Sequence, residues 1–247
     1  MEIQEFLKEV FGHFFDPKKR VFIGYLLIAI VISFSWLLFI KKFTIFSSLK
    51  TIFDSKIFFS RSSKADYKVF LLNRCITMFI SPLLITQLVV ATFIFNILLS
   101  INWDFLSVNF NLSKISIAIL FTFTVFFLDD LTKYIVHRWM HKWQILWSLH
   151  KVHHSATNLT PMTIYRTHPL EGIVFSLRAA VSQGISISVF FYFFGSSVDL
   201  LTVLGANVLI FSFNVAGSNL RHSHIGIRYW RWLEFLLISP AQHQLHH

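Results

Sequence analysis

The chain has a single cysteine, Cys75, and that scarcity removes two architectures at once. No intramolecular disulfide can form, and no C-x-x-C metal knuckle exists. Acidic residues are also few: 12 Asp and Glu stand against 22 Lys and Arg, for a net charge of +10. Several enzyme signatures are missing. There is no G-x-S-x-G elbow, no Walker loop, no H-E-x-x-H and no G-x-G-x-x-G, and no nucleophile–base arrangement stands out. The N-terminus carries acidic residues and lacks an early apolar core with a small-residue cleavage site. No cleavable signal peptide is expected, and the first span would act as its own address.

Apolar residues are abundant. They make up 55% of the chain, 30 of them phenylalanine, and mean hydropathy is +0.62. A soluble domain rarely reaches that level, so the composition indicates a multi-span membrane protein. Basic residues flank the apolar runs, as at Lys18-Lys19-Arg20 and Lys41-Lys42. That distribution fits orientation in a bilayer and contact with anionic head groups, and no nucleic-acid partner is expected.

Residues 1–20 place Phe6, Leu7, Val10, Phe11, Phe14 and Phe15 at helical spacing, as an interfacial helix would. His13, alone there, is expected at the surface without a role. Val21–Ile40 is uncharged and long enough to span. Residues 41–74 read as a polar, basic loop with at most a surface helix. A second span is expected from Cys75 to about Ser100, bent or broken at Ser81-Pro82. A third starts near Ile115 and reaches Asp129-Asp130. Further apolar runs at 172–194 and 198–215 suit a helical hairpin around Gly195. The expected fold is all-α, a polytopic membrane bundle of about four to five spans with a cytosolic histidine-box cap. Residues 1–114 are expected to form an N-terminal membrane region of two spans and a basic loop, and 115–247 a second domain that carries the histidine-rich segments.

The 41–74 loop holds eight Lys and Arg, whereas 101–114 holds only Lys114. The positive-inside rule puts the first in the cytoplasm and the second outside. The following spans then deliver every histidine box to the cytoplasmic face. That face belongs to a bacterial inner membrane, or to the endoplasmic reticulum in a eukaryote.

The boxes carry the chemistry. His137 and His141 are four apart, on one helical face. His150, His153 and His154 stand at i, i+3 and i+4, as do His243, His246 and His247. His222 and His224 offer one or two more. Neutral imidazole suits iron, zinc or copper. Eight imidazoles are too many for one tetrahedral ion and suit two metals. Asp130 and Tyr134 share the face of His137 and His141, where a carboxylate could orient a ligand imidazole. Trp139, Trp143 and Trp147 are expected opposite, as interface anchors. A metal transporter or metal-binding membrane protein is the alternative, but transporters place such ligands within their spans, not after them.

The ordered segments HRWMH, LWSLHKVHHS, TIYRTHPLEG, NLRHSHIG and ISPAQHQLHH resemble the fatty acid hydroxylase superfamily, or sterol desaturase family, from about Asp129 to His247. The resemblance implies a membrane-bound, non-haem di-iron enzyme that uses O2 to hydroxylate or desaturate a fatty acyl chain or sterol. The resemblance also allows zinc as a substitute for iron in purified protein. Electrons would come from an external donor: a cytochrome b5-like protein, a ferredoxin-like protein or a reductase. The implied ligands are His137, His141, His150, His153, His154, His243, His246 and His247, with His222 favoured over His224 for the one between the boxes. Arg166, His168 and Glu171 fall in the family's R-x-H-P-L-E segment and are expected to wall or brace the site, His168 with the option of ligation. Relatives usually continue past the last box with an acidic-Asn-Phe/Tyr-Gly segment. This chain stops at His247, which suggests a fragment or a shortened cap.

Overall fold

The computed structural model describes residues 10–17, 19–80, 85–101, 112–195, 212, 219–235 and 237–247, with no strand among them. Two compact units emerge. The first comprises Met1–Phe79, His150–Pro169 and Phe213–His247; the second comprises Ile80–Leu149 and Leu170–Ser212.

In the first unit, helix α1 (Ile23–Ser35) runs into a π-helical segment, Trp36–Ile40, closed by the Lys41 amide donating to the Trp36 carbonyl. Lys42 then takes a left-handed conformation (φ 57°) and ends the helix. Thr44 caps α2 (Ile45–Ile52) by accepting from the Ser47 amide. Asp54 does the same for α3 (Ser55–Phe58), and α4 (Arg61–Ile80) follows. Ala29, Leu37, Ile52, Leu220, Ile225 and Ile227 form the unit's buried apolar cluster. The stretch expected as a polar loop is therefore mostly helical. Its polar residues are not all at the surface: Ser48, Ser63 and Asp66 are fully buried. His13 is also buried rather than exposed, with Arg74 Nη1 donating to its Nε2 at 2.6 Å.

The second unit contains α5 (Gln87–Ser100), α6 (Lys114–Lys142) and α8 (Pro169–Phe194, from Leu170 onward). Ile117, Phe121 and Val125 of α6 meet Phe190 of α8, while Asp129 further along α6 meets Arg178 earlier in α8. The two helices are thus antiparallel. Gly184 permits close approach of α5: a Cβ there would lie 2.7 Å from Val90 Cγ1. Ala180, Gly184 and Ser188 recur every four residues on α8, the small-residue spacing that brings membrane helices together.

Three helical stretches among the described residues are long and apolar enough to cross a membrane: Ile23–Ile40, Lys114–Lys142 and Pro169–Phe194. The chain is an integral membrane protein. Helix α4 is described as far as Ile80 and α5 starts at Gln87, so Ser81-Pro82, where the second span was expected to bend or break, lies outside the described residues; the apolar helix that follows, Leu88–Ser100, is short. The expected span at 198–215 lies almost wholly outside the described residues. Helix α6 is about 43 Å long, against about 30 Å for a bilayer's apolar layer. It exceeds that thickness by about two turns, and its last turn carries His141.

Candidate metal centre

Helix α7 (Gln144–His154) ends on its histidines, placing His150, His153 and His154 in its last two turns. Helix α10 (Pro240–His246) carries the final box. It is started by a full capping box, with Ser239 accepting from the Gln242 amide, the Gln242 side chain returning to Ser239, and Pro240 in the first turn. The short helix α9 (Asn219–Arg221) delivers His222 directly after it.

These elements bring four imidazoles together. One ring nitrogen from each of His153, His222, His243 and His247 lies within 4.8 Å of the others. His222 Nε2 is 3.1 Å from His153 Nε2 and 3.1 Å from His243 Nε2. A second group adjoins it. His154 Nε2 is 3.0 Å from His150 Nε2, and the His154 ring centroid lies 4.9 Å from that of His246 and 4.7 Å from that of His247.

A ring nitrogen carries either a proton or a lone pair. His222 Nε2 therefore cannot donate to one neighbour and accept from the other. A shared cation engages all three lone pairs. With metal–nitrogen bonds of about 2.1 Å, ligand nitrogens lie about 3.0 to 3.4 Å apart, in octahedral or tetrahedral geometry. The spacings here fall in that range, so the residues fit a metal. Burial, with neighbouring imidazoles second, holds His153 and His222 well below the ordinary histidine value. His246 is lowered by burial and then by His150. The neutral ring is the form that binds metal.

His224 stands apart. Its Nε2 donates to the Thr51 carbonyl at 2.7 Å, which requires a proton on that nitrogen, and its ring packs edge-on against Phe58. It is not one of the four converging histidines, which include His222. In the second unit, His137 and His141 pack together at 4.8 Å between centroids on α6. The tryptophan stripe holds only in part. Trp139 and Trp143 stack at 5.2 Å, but α6 stops at Lys142 and Trp143 has extended backbone. The change of direction puts Trp147 against His141 at 5.4 Å, not opposite it.

Asp130 is half-buried, whereas its neighbour Asp129 is buried and takes the polar contacts. Arg178 Nη1 reaches Asp129 Oδ1 at 2.8 Å and Thr132 Oγ1 at 2.9 Å, and Lys133 holds Asp129 Oδ2 at 2.8 Å. Tyr134 is exposed, and its hydroxyl accepts from Arg138. Glu171 is buried in the first turn of α8, where a carboxylate suits the helix dipole. His168 is half-buried, next to Thr167, whose carbonyl accepts from Asn73.

Arg166 binds where no sequence motif pointed. Its Nη1 reaches Asp66 Oδ1 at 3.0 Å, and its other nitrogens reach Ser155, the residue that follows His154. Asp66 and Asn73 belong to the stretch expected as a loop. The available signal was the spacing of Ser62, Asp66, Phe70 and Asn73, which is helical and points four buried residues to one side.

The fatty acid hydroxylase family matches residues 122–247, just over half of the chain, and the chain belongs to that family. Two curated relatives are each similar over about half of the chain. One is Delta(7)-sterol 5(6)-desaturase erg3C of Aspergillus fumigatus, 30% identical over 131 residues, which cover 48% of this chain and 39% of the relative. The other is Delta(7)-sterol 5(6)-desaturase ERG3B of Gibberella zeae, 30% identical over 119 residues, which cover 48% of this chain and 32% of the relative. The chain thus spans well under half the length of these relatives. No solved structure matches it.

Proposed function

We propose that this chain houses the di-iron centre of a membrane-bound oxygenase that hydroxylates or desaturates a lipid, either an acyl chain or a sterol. The observation that carries the reading is the convergence of His153, His222, His243 and His247 on one point. These four would hold one ion. His150, His154 and His246 would hold part of the second, and the order and spacing of the boxes lead us to assign His137 and His141 to it as well. When bound, the iron pair supplies the O2-dependent redox chemistry that no side chain provides.

The chain's own residues do the rest. Burial keeps His153 and His222 neutral, so their lone pairs stay available to metal. The Ser239–Gln242 capping box fixes the start of α10, and with it the direction of the last three histidines. Helix α6 is long enough for its histidine-bearing end to leave the apolar layer. That favours a site at a membrane face, the cytoplasmic one by the charge rule, over the mid-membrane ligands of a transporter. An external donor would supply electrons. The relatives' names favour a sterol-like substrate within the lipid class.

Lipid profiles of cells expressing the wild type or His153→Ala test this. A hydroxylated or newly unsaturated lipid should appear with the wild type and vanish with the variant. An unchanged lipid profile with altered metal uptake would replace the oxygenase with a transporter.

A further inference from the structure

Helix α4 lies outside the residues matched by the family, yet its buried face grips the segment that follows the second histidine box. Ser62, Asp66 and Asn73 fall within about 40° of one another around a helix of 3.6 residues per turn. All three are buried, and Asp66 is completely so. Ser62 Oγ accepts from the Thr157 amide at 3.1 Å. Asp66 Oδ2 accepts from Thr163 Oγ1 at 2.7 Å, and Thr163 Oγ1 in turn accepts from the Thr160 amide at 2.9 Å. Asn73 Nδ2 donates to the carbonyls of Thr167 at 2.9 Å and Tyr165 at 3.3 Å. The segment from 155 to 167 is therefore held at both ends and in the middle by one helix.

Arg166 links this grip to the box. Its Nη2 donates to the Ser155 carbonyl at 3.2 Å and its Nε to Ser155 Oγ at 3.0 Å. Ser155 directly follows the last residue of α7. The final carbonyls of a helix lack intrahelical partners, and a cation there satisfies them and complements the dipole. Arg166 is thus a cap on the helix that presents His150, His153 and His154. A guanidinium has many rotamers, and the buried Asp66 carboxylate selects the one that reaches Ser155.

We infer that Asp66 is a positioning residue for the metal centre: acting through Arg166, it fixes the end of α7 and with it the angle at which His153 and His154 are presented. The inference rests on the metal-centre reading above. It gives α4 a part in metal binding as well as in the fold of its unit.

The test is cobalt(II) titration of the full chain in detergent, followed by the visible d–d absorption of the bound ion. Circular dichroism and melting are recorded on the same samples. Loss of an outer partner of a metal site typically weakens binding about 10- to 100-fold. Asp66→Asn should weaken cobalt binding about tenfold and change the d–d band while the protein remains folded. Asp66→Glu should recover part of the affinity. The double variant Asp66→Asn/Arg166→Met leaves no lone buried charge and serves if the single variant fails to fold. It should melt near wild type yet bind cobalt as weakly as Asp66→Asn. Wild-type affinity and band shape in a folded variant would overturn the inference. So would a loss of affinity that only tracks the fraction unfolded. No cobalt binding by the wild type would instead sink the metal-centre reading itself.

Discussion

Replacing Arg178 by methionine should destabilise the packing of α6 on α8 by about 3 kcal/mol. Arg178 is only 9% exposed and Asp129 only 12%. One guanidinium nitrogen makes three contacts: the Asp129 carbonyl at 2.9 Å, Asp129 Oδ1 at 2.8 Å and Thr132 Oγ1 at 2.9 Å. Removing one member of a buried pair usually costs about 3 to 5 kcal/mol, because the other charge stays behind. The low end applies here. Lys133, 35% exposed, still holds Asp129 Oδ2, and Thr132 still donates to the Leu128 carbonyl. Unfolding in mixed detergent micelles, followed by tryptophan fluorescence, should then shift by about 160-fold in its equilibrium constant. The double variant Asp129→Asn/Arg178→Met should cost less than the sum of the single changes, with a coupling of about 1 to 3 kcal/mol. An ordinary interhelical hydrogen bond in a membrane averages about 0.6 kcal/mol. A single-variant cost near that value, or strict additivity, would refute a buried ion pair.

Gly184→Leu should separate α5 from α8 at a cost of about 1 to 3 kcal/mol, since its Cβ would lie 2.7 Å from Val90 Cγ1. The same unfolding assay reads this, and Val90→Ala in the Leu background should recover part of the loss; no recovery would contradict the contact. Metal-free protein should lose stability on acidification. His153 and His222 have folded values below the ordinary 6.5, so below about pH 6.5 the unfolded chain binds more protons than the folded one and stability falls with pH. Melting at pH 7.5 and 5.5 should show the drop, and His153→Gln/His222→Gln should flatten it. An equally steep profile in that variant would assign the effect elsewhere.

The histidine boxes could be read from the chain because helical spacing is local: His150, His153 and His154 need only one helix to share a face. Choosing between His222 and His224 was not local. The Thr51 carbonyl that engages His224 lies 173 residues away, and no spacing rule reaches it. The aspartates show the same limit. Periodicity from His137 picked Asp130, but Asp129 takes the contacts because Arg178, on another helix, offers it a cation. The tryptophan stripe failed where the helix did, since extrapolation through Trp143 assumed a continuous α6. Residues 41–74 were read as a loop because polar residues usually face water. Here Ser62, Asp66 and Asn73 have partners in the 155–167 segment, and a paired polar residue can be buried.

Metal content bears most directly on the central claim. Elemental analysis of the full chain, purified after growth in iron-rich medium, should find about two iron ions per chain, because eight or more imidazoles exceed the needs of one ion. His222→Ala should remove about one of them, and His224→Ala should remove none. A wild-type chain that binds no metal, or equal losses from the two variants, would contradict the account.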